Sequence, residues 1–400
     1  MDSKIFPDLE NRLLQISSRL QQQLSEHPSR DYQHFENLLK RRASLLIGAR
    51  GVGKTTFLLK KSMNKNSFYM SMDNPMLSEV QFFDFADYLF QGGYDLLVLD
   101  EVHFLKNWSI QLKALYDSFP QKRIIATDSS SLVLRRGLGD LSRRFVVDYF
   151  PYLSFREYLL LSHNIELPVL NWLDLKQENF KPLLKALTKS GLSIPREFKK
   201  YLESGTRPFF VEGDYRQKTL NILEKIVHVD IPYFLPEIKE RHLQLMKHVI
   251  GHLALSPIPT VNVDSFAKEW SVAKTTVYNL LELMHESGVL RIISEAGRKG
   301  QTKGKKIFFA DPNMYSCLDG ALGNLREAFF TMTVAESGLQ VTCPKMDQDY
   351  DFLVDGVSFE IGGPSKKRKN ANFVVRDTID LPTPGVLPLW IFGFLPLIKK

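Results

Sequence analysis

The stretch Gly48-Ala49-Arg50-Gly51-Val52-Gly53-Lys54-Thr55 fills every fixed position of G-x-x-x-x-G-K-[ST]. Each residue type has a chemical reason to be there. Glycines let the backbone curl so that successive N–H groups point inward at phosphate oxygens. The positive end of a following helix faces the same anion. A lysine at position 54 reaches the β- and γ-phosphates, and the Thr55 hydroxyl ligates magnesium. Gly48, Ala49, Arg50, Gly51, Val52, Gly53, Lys54, Thr55 and Thr56 are therefore the expected nucleotide contacts, with ATP and Mg2+ as the implied cofactors. The alternative is a glycine-rich turn with no ligand. An apolar run before the loop and an apolar helix after it (Phe57, Leu58, Leu59) favour the phosphate cradle.

The second chemical cluster is Leu96-Leu97-Val98-Leu99-Asp100-Glu101. Four apolar residues predict a buried strand, and acids at its C-terminal end lie where open α/β sheets bind ligands. Asp100 is placed to hold magnesium through water. Glu101 is placed to orient and deprotonate an attacking water. The adjacent pair favours hydrolysis over transfer to a small acceptor.

After the next apolar run come Thr127-Asp128-Ser129-Ser130-Ser131. These polar residues, Ser129 among them, are placed to sense a γ-phosphate, or else they cap a helix. Arg135, Arg136, Arg143 and Arg144 precede the run Phe145 to Tyr149. One of them reaching a neighbouring subunit's γ-phosphate would stabilise transition-state charge; solvated arginines are the other reading.

The elements that must position these residues follow from the hydrophobic pattern. Leu9, Leu13, Ile16, Leu20 and Leu24 predict one amphipathic N-terminal helix. Ala43 to Ile47, Ser67 to Met70, Leu96 to Leu99, Arg123 to Ala126 and Phe145 to Tyr149 read as strands separated by helical stretches. That order indicates a parallel sheet with crossover helices. From Pro151 to about Leu235 the pattern is mainly helical, and the last eighty or so residues return to strands and turns.

Four hundred residues with 44% hydrophobic and 24% charged residues describe a multidomain globular chain. A net charge of +7 permits an anionic partner without demanding one. Cys317 and Cys343 make no disulfide framework, and no Cys/His cluster has zinc spacing. No secretory signal is visible in residues 1–30, and a cytoplasmic placement is the simplest reading. The apolar run Val386 to Ile398 is interrupted by Gly393 and Pro396, and a buried terminal strand is expected there rather than a membrane span. No N-K-x-D guanine-reading motif occurs, which argues against a signalling GTPase.

Gly48 to Thr55, then Asp100-Glu101-Val102-His103, Asn107-Trp108 and Leu115-Tyr116-Asp117, resemble the AAA-type bacterial and archaeal ATPases of the archaeal-ATPase-like kind. These pair the ATPase core with a C-terminal domain of unknown function, family 4143. The resemblance continues through Ser129-Ser130-Ser131, Leu141 to Arg144, Leu153-Ser154-Phe155-Arg156-Glu157, and Gly205 with Pro208, and so covers nearly the whole chain. It implies that Arg144 is the trans-acting arginine, and hence a homo-oligomer. Two positions depart from the family pattern. Asp128 replaces the glycine usual before the serines, and Arg143 the glycine before the arginine.

Val263 to Trp270 and Ala273 to Ser287 read as two helices, followed by strands at Gly288 to Leu290 and Ile307 to Phe309. That order is a winged helix–turn–helix, whose second helix enters a DNA major groove. Lys274, Thr275 and Thr276 would lie on its exposed start. Arg298, Lys299, Lys303, Lys305 and Lys306 would form a phosphate-contacting wing tip. A winged helix used for protein packing, with a solvated tip, is the alternative. Farther on, Glu327, Asp351 and Glu360 have the order of an E…D…E-x-K nuclease core, in which carboxylates bind magnesium. Gly362 stands at the lysine position, and Lys366 is placed to supply the amine instead. The resemblance implies a restriction-endonuclease-like fold in this region.

The expected domains are an N-terminal helix (1–30), an AAA-type α/β core (31–150), a helical lid (151–235), a winged helix (236–318) and a small nuclease-like α/β domain (319–400). The expected function is magnesium-dependent ATP hydrolysis coupled to DNA. A nucleotide-dependent binding switch and an ATP-gated nuclease are the alternatives.

Overall fold

The computed structural model describes every residue except 1–4, 26–28, 31–34, 65, 79, 130–131, 133–138, 140, 296–305, 345–348 and 398–400. The chain divides into two compact units, one ending at Phe150 and the other running from Pro151.

The first unit is built on a five-stranded sheet: β1 (Ala43–Ile47), β2 (Ser67–Ser71), β3 (Leu96–Asp100), β4 (Arg123–Asp128) and β5 (Val146–Tyr149). The spatial order is β2-β3-β4-β1-β5, and every pairing is parallel. β1 and β3 are buried at every position, as strands covered on both faces must be. That is why they read as unbroken apolar runs rather than alternating ones. The helices are α1 (Ile5–Ser25), α2 (Glu36–Lys40), α3 (Lys54–Lys61), α4 (Phe82–Gln91) and α5 (Trp108–Ser118). α1 packs on α3 and β2. Phe6 meets Phe85 of α4 at 5.4 Å, and Glu10 accepts hydrogen bonds from Tyr88 and Tyr94 at 2.8 and 2.7 Å. The N-terminal helix is thus part of this unit. β1 lies between β4 and β5: the connection from β1 runs past β4 and β3 to β2, while that from β4 passes over β1 in the other direction to β5. The carboxyl end of β1 is the topological switch point where such sheets bind ligands.

The second unit begins with helices Phe155–His163, Trp172–Lys176, Lys181–Ser190, Ile194–Ser204 and Tyr215–Lys225. The first starts at a capping box in which Ser154 and Glu157 satisfy each other's backbone N–H groups. Helices Glu240–Leu255, Val263–Glu269 and Lys274–Glu286 follow, then an antiparallel hairpin of β6 (Leu290–Ile293) and β7 (Lys306–Phe309). A buried polar knot joins the segment after β7 to the earlier helices. Thr206 donates to Asp311, Asn313 donates to the Tyr201 and Leu202 carbonyls, and Arg207 pairs with Asp311. The last sheet has the order β12-β11-β10-β9-β8, from β8 (Val341–Thr342), β9 (Phe352–Val354), β10 (Val357–Gly362), β11 (Phe373–Arg376) and β12 (Val386–Pro388).

Two sequence expectations change here. Leu322–Glu336, in the region read as strands and turns, is a helix buried on nearly every face, so it shows no amphipathic period. The run from Val386 is strand only to Pro388 and then winds into a 3-10 helix, Leu389–Phe394. Its burial is as expected: Phe392 packs on Phe330 at 4.8 Å and Phe394 on Phe155 at 5.7 Å. Composition recorded that burial, but not which backbone form delivered it.

Candidate nucleotide site

β1 delivers the chain into the loop 48–53, and α3 begins at Lys54. Gly51 and Gly53 take φ of 76° and 99°, a left-handed backbone that a side chain would strain. The Lys54 ammonium lies back across the loop, donating to the Gly48 and Ala49 carbonyls at 2.7 and 3.2 Å. Burial lowers its pKa against the opposing pull of Glu101, Asp100 and Asp128. Arg30, itself buried, braces the loop from behind by donating to the Val52 carbonyl at 2.8 Å, with its guanidinium 4.8 Å from the centre of the Phe150 ring. Val52 is fully buried, Gly51 is exposed, and Arg50, Thr55 and Thr56 are half-buried at the rim and the first turn of α3.

Asp100 ends β3 and is 3% exposed. Its Oδ2 accepts from Thr55 Oγ1 at 2.6 Å and from the Tyr69 hydroxyl at 2.9 Å, and its Oδ1 accepts from Thr127 Oγ1. Tyr69 stands on β2 and Thr127 on β4, so the two flanking strands clamp the carboxylate between them. Burial and the Asp100 charge both push the Tyr69 phenol well above its usual range, keeping it a donor. The adjoining Thr55 hydroxyl and Asp100 carboxylate are hard oxygen donors of the kind that suit magnesium.

Glu101 follows with a φ of 52°, unusual for a residue with a side chain. Its Oε2 accepts from Ser129 Oγ at 2.9 Å and lies 3.5 Å from His103 Nδ1; its Oε1 is 3.7 Å from an Arg50 guanidinium nitrogen. Burial raises the Glu101 pKa, opposed chiefly by Lys54. Asp128, fully buried at the end of β4, accepts from both the backbone N–H and Nδ1 of His103, at 3.2 and 2.8 Å. Lys54, Thr55, Asp100, Glu101 and Ser129 are therefore gathered at one carboxyl edge of the sheet. The sequence did not single out Tyr69 or Arg30. A tyrosine inside an apolar strand and an isolated arginine carry no local signal of a partner distant in sequence. His103 was visible only through the family likeness.

Arg144 makes a two-pronged pair with Asp117 of α5, both contacts at 2.8 Å. Arg135, Arg136, Ser130 and Ser131 lie outside the described residues.

In the second unit, Lys274 and Thr275 are exposed at the start of their helix and Thr276 is half-buried; Lys274 pairs with Asp264 at 2.6 Å. Arg298, Lys299, Lys303 and Lys305 lie outside the described residues. Lys306, expected at an exposed tip, is instead 8% exposed at the start of β7. Its ammonium is 3.2 Å from Glu327, 3.7 Å from Asp351 and 4.8 Å from the centre of the Phe352 ring. Lys366 reaches Asp351 at 2.8 Å and Glu360 at 2.7 Å, and Lys369 reaches Glu360 at 3.1 Å. Glu327, Asp351, Glu360 and Lys366 are thus brought together. Gly362 is what admits Lys366, because a Cβ there would come within 2.9 Å of three carbons of the Lys366 stem. Burial lifts the Glu327 carboxyl to about 7 despite Lys306 beside it. Three carboxyl groups and three ammonium groups make up this cluster.

The parallel sheet, with a glycine-rich loop after β1 and acids at the end of β3 one strand removed, is that of a P-loop nucleotide-binding fold. Residues 40–159 match the AAA-domain family (AAA_14). An uncharacterized protein of Methanocaldococcus jannaschii is 32% identical over 294 residues, 68% of this chain and 61% of the relative. The chain thus spans about 61% of the length of that curated relative. Among solved structures, a Thermotoga maritima RuvB variant is 18% identical, covering 71% of this chain and 91% of its own, with a TM-score of 0.27. A DNA polymerase III gamma subunit-related protein of Thermotoga maritima is 11% identical, covering 68% and 99%, with a TM-score of 0.24. Likeness at those scores carries no argument about this chain. Among the described residues, no helix is long and apolar enough to cross a membrane.

Proposed function

We propose that this chain is a magnesium-dependent ATPase whose hydrolysis is coupled to DNA binding. The observation that carries the ATPase reading is the convergence of Lys54 and Thr55 with Asp100 and Glu101 at one sheet edge. Lys54 holds the β- and γ-phosphates once it leaves the loop carbonyls it now contacts. Thr55 and Asp100 would hold magnesium, which when bound would supply positive charge against the phosphates. Glu101 orients the attacking water and takes its proton; burial has already raised its basicity. Arg144, released from Asp117, would act on a neighbouring subunit's γ-phosphate, which makes a homo-oligomer part of the proposal.

The DNA half rests on the order helix, turn, helix, hairpin in residues 263–309 and on the exposed start of the second helix at Lys274 and Thr275. Hydrolysis measured with and without duplex and single-stranded DNA tests both halves. Lys54→Ala is expected to remove ATP binding and turnover together, and DNA is expected to raise the wild-type rate. Unchanged hydrolysis in Lys54→Ala contradicts the ATPase. DNA affinity that does not fall with salt contradicts the partner.

A second reading, an ATP-gated nuclease, is supported by the gathering of Glu327, Asp351, Glu360 and Lys366. Supercoiled plasmid incubated with Mg2+ or Mn2+ tests it, and cutting that persists in Glu360→Ala excludes this cluster as its source.

A further inference from the structure

Glu101 sits in a backbone conformation that offers its carboxylate no help, since a left-handed residue with a side chain must be held by its surroundings. Its carboxylate has partners at both oxygens: Oε1 lies 3.7 Å from an Arg50 guanidinium nitrogen, and two residues face Oε2. Ser129 donates to Oε2, and the same oxygen faces the ring of His103 at 3.5 Å. The ring in turn is fixed. Asp128 takes the His103 backbone N–H at 3.2 Å and Nδ1 at 2.8 Å, both on one carboxylate oxygen, Oδ2. A carboxylate accepting from Nδ1 settles the tautomer: Nδ1 carries the proton. The Phe104 ring packs against the imidazole, centroid to centroid 4.1 Å. His103 and Asp128 are 2% and 0% exposed, so this arrangement pays no competition to water.

The facing atoms of Glu101, His103 and Asp128 lie within 4.8 Å of one another. An acid buried beside two other carboxylates would be driven outward or protonated unless a donor stood between them. The Nδ1–H of His103 stands there, strongly bonded to Asp128 and directed within 3.5 Å of Glu101. A glycine in place of Asp128 would leave the imidazole without this anchor.

We propose that His103, anchored by Asp128, is a positioning residue for Glu101: it fixes the Oε2 side of the carboxylate and so sets the angle at which Oε1, beside Arg50, is presented to the attacking water. This rests on the ATPase reading above. His103 acts through Glu101.

The test uses the full-length chain, single-turnover ATP hydrolysis and separate ATP-binding measurements. His103→Ala is expected to lower kcat about 10–100-fold, a fraction of what a general base supplies, with ATP affinity within about twofold of wild type. His103→Asn is expected to recover most of that loss, because an asparagine amide N–H can stand near the position of Nδ1–H and keep the bond to Asp128. In a Glu101→Gln background, where no base remains to be positioned, His103→Ala is expected to have no further effect. A wild-type chain that fails to hydrolyse ATP overturns the ATPase reading itself. A wild-type chain that hydrolyses while His103→Ala keeps full kcat overturns only the positioning role. Loss of ATP affinity in step with kcat, failure of His103→Asn to rescue, or an undiminished effect in the Glu101→Gln background also overturns it, as each marks a structural role.

Discussion

Thr55 Oγ1 donates to Asp100 Oδ2 across 2.6 Å, joining the first turn of α3 to the end of β3. These are the two side chains expected to share magnesium. The bond brings the loop and the acid strand together, with both oxygens at the same spot.

Removing either end of that bond should therefore act on the metal more than on the nucleotide. Thr55→Val and Asp100→Asn are each expected to weaken Mg·ATP binding at least tenfold while leaving metal-free ATP binding within about threefold. Titrations with and without EDTA measure the difference. Equal losses in both conditions would show that the residues merely support the loop.

Arg144 now spends its charge on Asp117. If it serves a neighbouring subunit, Arg144→Ala lowers kcat by about 10³-fold or more with ATP affinity preserved. Wild-type specific activity then rises with protein concentration, and mixing Arg144→Ala with Glu101→Gln restores activity at mixed interfaces. Specific activity independent of concentration, with no restoration on mixing, would leave Arg144 as one half of an exposed ion pair.

His285 bonds the Leu290 carbonyl through Nδ1 at 3.0 Å, and burial lowers its pKa below the ordinary 6.5. The unfolded chain therefore takes up a proton first as pH falls. The associated stability is present above pH 6.5 and is lost below it, at no more than about 1.4 kcal/mol per pH unit. Thermal unfolding of the wild type is expected to shift downward between pH 7.5 and 5.5, and His285→Gln should flatten that pH slope whatever it does to the midpoint. Parallel slopes would remove His285 from the balance.

The nucleotide loop was legible because its chemistry is local: eight adjacent residues carry both the turn and the ligands. The inner strands of the first sheet were legible because they are buried on both faces and show as apolar runs; the edge strand β5, half-buried to exposed, still carries the β-branched and aromatic residues of a strand. Contacts across strands were not. Tyr69 and Thr127 reach Asp100 from separate strands, and nothing in either neighbourhood marks the partner. The pairing of Asp128 with His103 was hidden for the same reason; in sequence, Asp128 registered only as a missing glycine. Lys306 read as one more cation on a basic tip, yet its aliphatic stem and ammonium are drawn inward by Glu327 and Asp351, which lie 21 and 45 positions away. The helix Leu322–Glu336 escaped because a helix buried all round has no polar face to set its period.

The central claim is that Glu101 activates water at a site that Lys54, Thr55 and Asp100 build. Its most direct test is single-turnover hydrolysis by Glu101→Gln beside equilibrium ATP binding by the same protein. The expected result is ATP bound with wild-type affinity and hydrolysed about 10²-fold more slowly or worse. DNA affinity that still responds to ATP in that variant would assign the output to nucleotide occupancy rather than turnover. Hydrolysis at the wild-type rate would contradict the account.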